Sequence, residues 1–489
     1  MTEFMNTRRS FLKGAALGAA GVLSAGAAVT EAAAAPAKAA QYDCIVVGAG
    51  CGGLVCAIRA AQNGLKPLLI DKMGSPAGNT VYAAGFMLGV HTKAQQAKGA
   101  NASDSVDKFY EDMMTVSKQH GDKQLTRYLA EHADETMNWL MDYCGVKFAS
   151  GMKLVFPMLE RAHLTVGEAQ PGGKQLANYL IAVVVILFIG VELTTNQKTG
   201  AVDGVVVKGK NGIETIKAKV GVVLATGGYS ANQAMVTQYC GSAAANMPIR
   251  GSRIIAGENI LLTQKVFAKD VNVNQYHCGP IYGPTGANPL NIVNNGVAVS
   301  KDTTERYTDE GLTYVQMSRD TAAKTKDNWA FMIVDQDTHD MPKLANDWKS
   351  YERTGAPVYK ADTIKELAEK AGLDPEKLVK VINDYNKAVK DGTRDKLTPP
   401  NTLKDPRLVV KAPFYAVPFQ GGMTATFGGP LINTRAQVLD SENQPVAGLF
   451  AVGNAAGGLF YDDYVGGAQL TSAAVFGMAA ADFMKMKMA

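Results

Sequence analysis

The residues of this chain whose types and spacing most directly imply chemistry are Gly48-Ala49-Gly50-Cys51-Gly52-Gly53 and, further on, Asp71. That chemistry is the holding of a pyrophosphate and a ribose. Gly48 permits a tight turn, Gly50 lets the backbone approach the phosphates, and Gly53 lets a helix pack closely on a strand. A helix N-terminus behind the loop would offer free N–H groups and a positive dipole end to the anion. Asp71 can accept hydrogen bonds from ribose hydroxyls. Glycine spacing alone is a weak signal and depends on its surroundings. Cysteine offers no competing chemistry. The six cysteines contain no Cys-x-x-Cys or Cys-x-x-Cys-His, so no zinc, iron–sulfur or haem signature and no metal site is expected. Cys44, Cys51 and Cys56 read as small core residues.

The elements that must position this loop are legible. Tyr42 to Val47 reads as a buried strand, Leu54 to Asn63 as an apolar-periodic helix ended by Gly64, and Lys66 to Ile70 as a second strand closed by Asp71. Strand, helix and acid in register make a dinucleotide-binding βαβ unit. Two later segments favour FAD over NAD. Gly221 to Gly228 is a buried strand ending in a glycine pair, and it follows a hairpin-like stretch, Val202 to Lys219, with a turn at Lys210-Asn211-Gly212. Ala447 to Asn454 is another strand ending in glycine, leading through Gly466-Gly467 into a helix that reaches about Phe483. A long cofactor lying across a domain needs such dispersed contacts. The N-terminus of that last helix would face the flavin pyrimidine and stabilise the charge of reduced flavin.

Composition bounds the rest. A chain of 489 residues, 47% hydrophobic and 19% charged, is globular and large enough for two domains or one multi-layer domain. The formal net charge of +4, with no Lys/Arg cluster interleaved with aromatics, excludes a nucleic-acid partner. Thr7-Arg8-Arg9-Ser10-Phe11-Leu12-Lys13 precedes an Ala/Gly/Leu/Val run from Gly14 to Val29 and a small-residue stretch from Ala32 to Ala40. This is the pattern of a Tat-type export signal, with residues 1–40 as signal and linker. The run is short and mild for a bilayer span, which takes roughly 20 strongly apolar residues. The expected location is therefore periplasmic or cell-surface, with no stable membrane span in the mature form. The other apolar run, Ile181 to Ile189, is read as a buried helix end running into a core strand, not as a transmembrane span.

The chain resembles the fumarate reductase/succinate dehydrogenase flavoprotein superfamily. The matching pieces are Val46 to Gly53, Gly78-Asn79-Thr80 with Ala83-Ala84-Gly85, Leu224 to Asn232, Arg306-Tyr307-Thr308-Asp309-Glu310, Pro413-Phe414-Tyr415-Ala416, Gly428-Gly429 and Gly448 to Gly453. Asp362 to Asp391 resembles that family's cap helix pair, and its amphipathic spacing around Gly372-Leu373-Asp374-Pro375 makes it a helix–turn–helix on its own merits. The resemblance implies an α/β fold: a Rossmann-like FAD-binding domain, residues 41–258 and 416–489, with an inserted α+β cap (substrate) domain, residues 259–415. It implies noncovalent FAD, because no histidine stands near Gly78-Asn79-Thr80 to take a covalent flavin. The cofactor-binding residues it implies, with those of the loop (Gly48, Gly50, Gly53, Asp71), are Lys72, Asn79, Thr80, Ala84, Gly85, Ala225, Thr226, Gly227, Gly453, Asn454, Ala468 and Leu470.

The chain departs from the dicarboxylate enzymes at the positions that clamp substrate. In that family a catalytic arginine lies eight residues past the Arg-Phe-x-Asn-Glu arginine; counted from Arg306, the position is Tyr314. A second arginine precedes the last Leu-Gly-Gly; here Tyr464 precedes Val465-Gly466-Gly467. A family histidine is replaced by Ala425, and only His277, in Gln275-Tyr276-His277-Cys278, keeps a family-like polar position. Arginines fork onto carboxylates; tyrosines, with a reference pKa of about 10, stay neutral and suit an uncharged carbonyl. The tyrosine pair resembles that of the 3-ketosteroid dehydrogenases of the same superfamily, with departures at Asp309, Gly467 and Ala468. The resemblance implies Tyr314, Tyr464 and His277 as catalytic residues. Tyr464 would bind a carbonyl oxygen with the Ala468 backbone N–H beside it, and Tyr314 would carry a proton to or from carbon. The alternative for each tyrosine is a buried aromatic with a satisfied hydroxyl. Tyr110 is the candidate for a third catalytic tyrosine, and Arg319 the candidate replacement for the missing arginine.

Three functions follow. One is an exported FAD-dependent reductase of an activated C=C, an α,β-unsaturated carbonyl, serving anaerobic respiration and fed by a separate electron-transfer protein (a cytochrome or flavoprotein). The second is a ketosteroid-type dehydrogenase running the reverse reaction, or a reductase of an unsaturated acid. The third is a noncatalytic flavin electron carrier.

Overall fold

The computed structural model describes residues 42–73, 78–97, 103–152, 161–181, 185–187, 189–210 and 212–488. The paired-arginine segment and the apolar run behind it lie outside the described residues, as does Asn211 of the expected turn. The described chain forms two compact units. One holds the residues up to Tyr229 with Ile254–Gln275 and Thr426–Ala489; the other holds Ser230–Arg253 and Tyr276–Ala425.

The first unit is built on a sheet whose strand order is Gln437–Leu439, Pro445–Ala451, Gly212–Leu224, Tyr42–Val47, Pro67–Asp71 and Val185–Leu187. The last five run parallel, with Phe450 opposite Val223, Val223 opposite Val46, Val46 opposite Leu69, and Ile70 opposite Ile186. Parallel strands covered on both faces read as unbroken apolar runs, which is why Cys44-Ile45-Val46 and Val222-Val223-Leu224 carry no alternation. The expected hairpin and the expected glycine-ended strand are one element. Gly212–Leu224 pairs antiparallel with Val202–Gly209 along its first half and parallel with Tyr42–Val47 along its second. At the run from Ile181, helix Gly172–Leu180 ends just before an exposed Ile181 rather than in a buried helix end, and of the described residues beyond it Val185–Leu187 joins the sheet beside Pro67–Asp71. Among the described residues no helix is long and apolar enough to cross a membrane. The helices Cys51–Gln62 and Ala468–Met488 pack on each other, with the second buried almost throughout its first four turns.

The second unit holds a five-stranded sheet in the order Tyr276–Ile281, Phe414–Thr426, Ala330–Val334, Val297–Ser300, with Tyr359–Ala361 also on Phe414–Thr426. Successive residues of Ala330–Val334 alternate between two cores. Ala330, Met332 and Val334 enter one with Tyr415 and Val417; Phe331 and Ile333 enter the other with Phe414 and Ala416. The second core is roofed by the expected helix pair, Ile364–Ala371 and Pro375–Asp391. Gly372 closes the first helix in a left-handed conformation, and Asp374 caps the second by accepting from the Lys377 N–H at 3.0 Å.

The unit boundaries fall differently from the expected cuts at 258/259 and 415/416. Residues 259–275 stay with the first unit because the Asn259 amide donates to the Gly428 carbonyl at 3.0 Å and Val271 pairs with Gly429. Residues 416–425 belong to the second because Phe414–Thr426 is one strand that pairs with Ala330–Val334. Residues 230–253 join them through the Arg250 N–H, which donates to the Met423 carbonyl at 2.7 Å.

Candidate active site

In the first unit, three parallel strands end side by side at Val47, Leu224 and Ala451, and the candidate cofactor residues gather at those carboxyl ends, where an open α/β sheet binds its ligands. The loop glycines answer to close contacts. Gly48 has φ +112°, and a Cβ there would sit 2.3 Å from the Ala225 carbonyl oxygen. A Cβ at Gly53 would sit 1.9 Å from the Gly48 carbonyl oxygen, so only glycine lets the helix start this near the strand. Helix Cys51–Gln62 begins at Gly50 with no side-chain cap, which leaves its N-terminus for a ligand anion, while the Cys51 N–H donates to the Thr80 hydroxyl at 2.9 Å. One Asp71 oxygen accepts from the Ala49 N–H at 2.7 Å and the other from the Met73 N–H at 2.8 Å. Asp71 therefore pins the loop, and each of its oxygens keeps lone-pair capacity for a further donor. Its neighbour Lys72 is ion-paired with Glu258.

The remaining positions form the rest of this cradle. Asn79 and Thr80 begin the 3-10 turn Asn79–Tyr82, and Ala84-Gly85 pack against Gly172. The Ala225 N–H donates to the Val47 carbonyl at 2.8 Å, which carries Thr226 and Gly227 past the loop. Gly453 and Asn454 open the turn Gly453–Ala455, with the Asn454 amide 3.3 Å from the Gln469 side-chain oxygen. The Leu470 carbonyl lies 3.7 Å from the Cys51 sulfur, so the last helix starts against the first. A loop held open by glycine, an uncapped helix end and a carboxylate with spare lone pairs fit an FAD. The thiols stay out of the chemistry: burial pushes Cys44 and Cys51 up to about 12. No group of residues able to hold a metal occurs among the described residues.

Tyr464 is half-buried in this unit, edge-on to Phe427 (6.1 Å, 75°) and Phe460 (6.0 Å, 69°). Its expected companion fails. The Ala468 N–H donates to the Val465 carbonyl at 2.8 Å, and Ala468 is fully buried. A turn that closes on itself just before the helix has already used that donor, so the expected oxyanion-type pairing with Tyr464 is withdrawn. Tyr110 lies under the Arg127 guanidinium, 4.1 Å from ring to cation.

The second unit brings the other two candidate catalytic residues together. His277 is buried in strand Tyr276–Ile281. Tyr314 is the first residue of helix Tyr314–Lys324, placed there by Thr313, whose hydroxyl caps the helix by accepting from the Gln316 N–H at 3.2 Å. The Tyr314 hydroxyl is 3.5 Å from His277 Nε2, and the two rings meet edge-to-face at 5.8 Å and 89°. The helix lies along the strand: the Cys278 thiol is 3.4 Å from the Val315 carbonyl, and Arg319 donates to the Tyr276 carbonyl at 2.7 Å. Arg319 also covers the Tyr276 ring at 5.0 Å, and burial pushes the Tyr276 phenol up to about 12. Arg319 is thus engaged with Tyr276, one residue before His277 and on the opposite side of the strand. Arg306 is structural, its Nε donating to Glu310 at 2.9 Å.

One further residue lies at this place, and nothing in the sequence around it singles it out. The guanidinium of Arg250 rests on Gly279, where an added Cβ would be 2.9 Å from Arg250 Cζ. Its Nη1 donates to the Thr424 hydroxyl at 3.2 Å.

Residues 43–469 match the family described as the FAD binding domain. The chain is similar to a probable fumarate reductase of Shewanella frigidimarina, 30% identical over 90% of this chain and 74% of that protein. It is similar to a vinyl phenol reductase of Lactiplantibacillus plantarum, 27% identical over 87% of this chain and 92% of that one. It superposes on the open conformation of a flavocytochrome c3 fumarate reductase with a TM-score of 0.77 and 29% identity, over 91% of this chain and 78% of that one.

Proposed function

The chain belongs to the FAD binding domain family and is an FAD-dependent oxidoreductase, and on that premise we propose that it reduces a carbon–carbon double bond conjugated to a carbonyl group. Reduction takes two electrons and two protons: a hydride to one carbon and a proton to its neighbour. The glycine-loop cradle would hold FAD, which in its reduced form would supply the hydride. Tyr314 gives the proton, and His277, whose Nε2 lies 3.5 Å from the phenol, orients the hydroxyl and passes a solvent proton to the phenolate left behind. Tyr464 hydrogen-bonds the carbonyl oxygen. The observation that carries this reading is the Tyr314–His277 pair at the head of a helix, an acid with a base behind it.

Support comes from relatives named as reductases of compounds that share a carbon–carbon double bond, among them a probable fumarate reductase and a vinyl phenol reductase. The second reading is a ketosteroid-type dehydrogenase, in which the same tyrosine takes the proton. The FAD is held without a covalent bond, the protein is exported through its paired-arginine segment, and electrons arrive from a separate cytochrome or flavoprotein. Anaerobic assays with reduced viologen against conjugated enones, enals and acids test the reading. Tyr314→Phe should lower kcat by about 10²–10⁴-fold with flavin content unchanged. A variant as active as the parent removes Tyr314 from the mechanism. Oxidation of saturated ketones with no reduction of any unsaturated acceptor would favour the dehydrogenase.

A further inference from the structure

The Arg250 side chain is unusual in what it lacks. A guanidinium carries five N–H donors and is charged at any working pH. Among the described residues its side-chain hydrogen bond goes to one hydroxyl, that of Thr424, and Nε is buried with no partner. Unsatisfied buried donors are costly and call for an explanation. The surroundings are shaped to hold the group in this place. Three of its atoms, Cζ, Nη1 and Nε, would lie 2.9, 3.0 and 3.1 Å from a Cβ at Gly279, so the fork lies flat on bare backbone. A Cβ at Gly422, on the neighbouring strand, would be 3.2 Å from the Arg250 Cβ. Two glycines on adjacent strands thus make the bed for one arginine.

That bed lies on the side of the strand that carries His277. Residues two apart in a strand project from the same face and are about 6.6 Å apart along it. His277 and Gly279 are such a pair in Tyr276–Ile281. A forked cation with spare donors therefore sits one strand repeat from the Tyr314–His277 pair, on the same face.

We propose that Arg250 is the anion-binding residue of the acceptor site and selects conjugated monocarboxylates, rather than dicarboxylates or neutral carbonyls. This rests on the reading that Tyr314 and His277 mark that site. A single guanidinium provides one bidentate seat for one carboxylate. The positions that would supply arginines for a dicarboxylate hold Tyr314 and Tyr464.

The holoenzyme is assayed anaerobically with reduced methyl viologen on acrylate and 3-phenylacrylate, each beside its primary amide. Arg250→Gln should raise KM for the acids by on the order of 10- to 100-fold, the worth of a charge-assisted pair, with kcat and bound FAD little changed and the amides unaffected. Arg250→Lys should restore part of the loss. Gly279→Ala alters no donor but pushes the guanidinium aside, and should reproduce the same split. A readout free of turnover is the Kd of 3-phenylpropanoate from the perturbation of the flavin absorbance, which should weaken with KM. Acids and amides losing equally, or neither changing, overturns the proposal. A parent enzyme that reduces the amides but neither turns over the acids nor binds 3-phenylpropanoate also overturns it, and leaves the reductase reading standing. Saturable, Arg250-dependent binding of 3-phenylpropanoate without reduction of any acceptor supports the anion site and sinks the reductase reading instead.

Discussion

Acid should loosen the cofactor unit through one buried histidine. His163 lies in strand Ala162–Thr165, which pairs with Phe86–Leu88 just beyond Ala84-Gly85. It has no exposed surface. Its Nδ1 is 2.9 Å from the Arg161 carbonyl oxygen, which can only accept, so Nδ1 carries the proton. Nε2 then accepts from the Thr92 hydroxyl at 2.7 Å. A second proton would charge a ring that water does not reach, and burial pushes its pKa down from 6.5 to about 4. In the unfolded chain the ring titrates near 6.5. Between those values the unfolded chain binds the extra proton and the native protein does not. Stability is therefore lost as pH falls from about 6.5, and the loss is complete below about 4. Some 2.5 pH units at about 1.36 kcal/mol each give roughly 3 kcal/mol. His163→Gln replaces the ring with a neutral amide that can still donate and accept, and removes the titration. Urea unfolding of both proteins from pH 4 to 8, followed by release of flavin fluorescence, measures the difference. The wild-type protein should lose about 3 kcal/mol more than the variant over that window. A gap between the two that stays constant with pH refutes the reasoning.

Two further outcomes follow from the site. Gly53→Ala places a Cβ 1.9 Å from the Gly48 carbonyl oxygen; the purified protein should carry little FAD, and normal loading measured from the flavin absorbance would contradict the loop geometry. Tyr464→Phe keeps the ring between Phe427 and Phe460; turnover should fall by about 10-fold or more, the worth of one lost hydrogen bond to a developing charge, with FAD retained, whereas loss of FAD would make Tyr464 structural.

Much of the first unit was legible because local rules and tertiary structure agree there. Tyr42–Val47 is buried on both faces, so its sequence is apolar without alternation, and Gly48 follows where the turn needs φ +112°. The single strand Gly212–Leu224 was harder. Its exposed first half reads as hairpin and its buried second half as sheet core, and only the pairing shows that they are continuous. The unit boundaries were misplaced for the same reason: Phe414–Thr426 runs on well past the expected cut, and composition does not change along it. Ala468 was misjudged because a glycine pair before a helix signals a turn without saying which N–H the turn consumes. Tyr314 and His277 were nameable from their positions, but their contact depends on how helix Tyr314–Lys324 lies along strand Tyr276–Ile281, a nonlocal fact. Arg250 had no local signature at all. Its meaning comes from the missing side chain at Gly279, which no periodicity marks.

The discontinuity of the first unit bears on the order in which the protein can be made. Its glycine loop follows Tyr42–Val47, yet the strand that flanks Gly212–Leu224 on the far side, Pro445–Ala451, and the helix that packs on Cys51–Gln62, Ala468–Met488, come far later in the sequence. A polypeptide leaves the ribosome amino end first, and domains fold as units. The nucleotide loop therefore waits, with one side of its sheet and helix uncovered, until Pro445–Ala451 and Ala468–Met488 have been synthesised. Ser230–Arg253 and Tyr276–Ala425 emerge in that interval and can settle their own two cores first. A chain stopped before Ala468 lacks the helix that packs on Cys51–Gln62, so the helix behind the glycine loop is left without its partner until those residues are made.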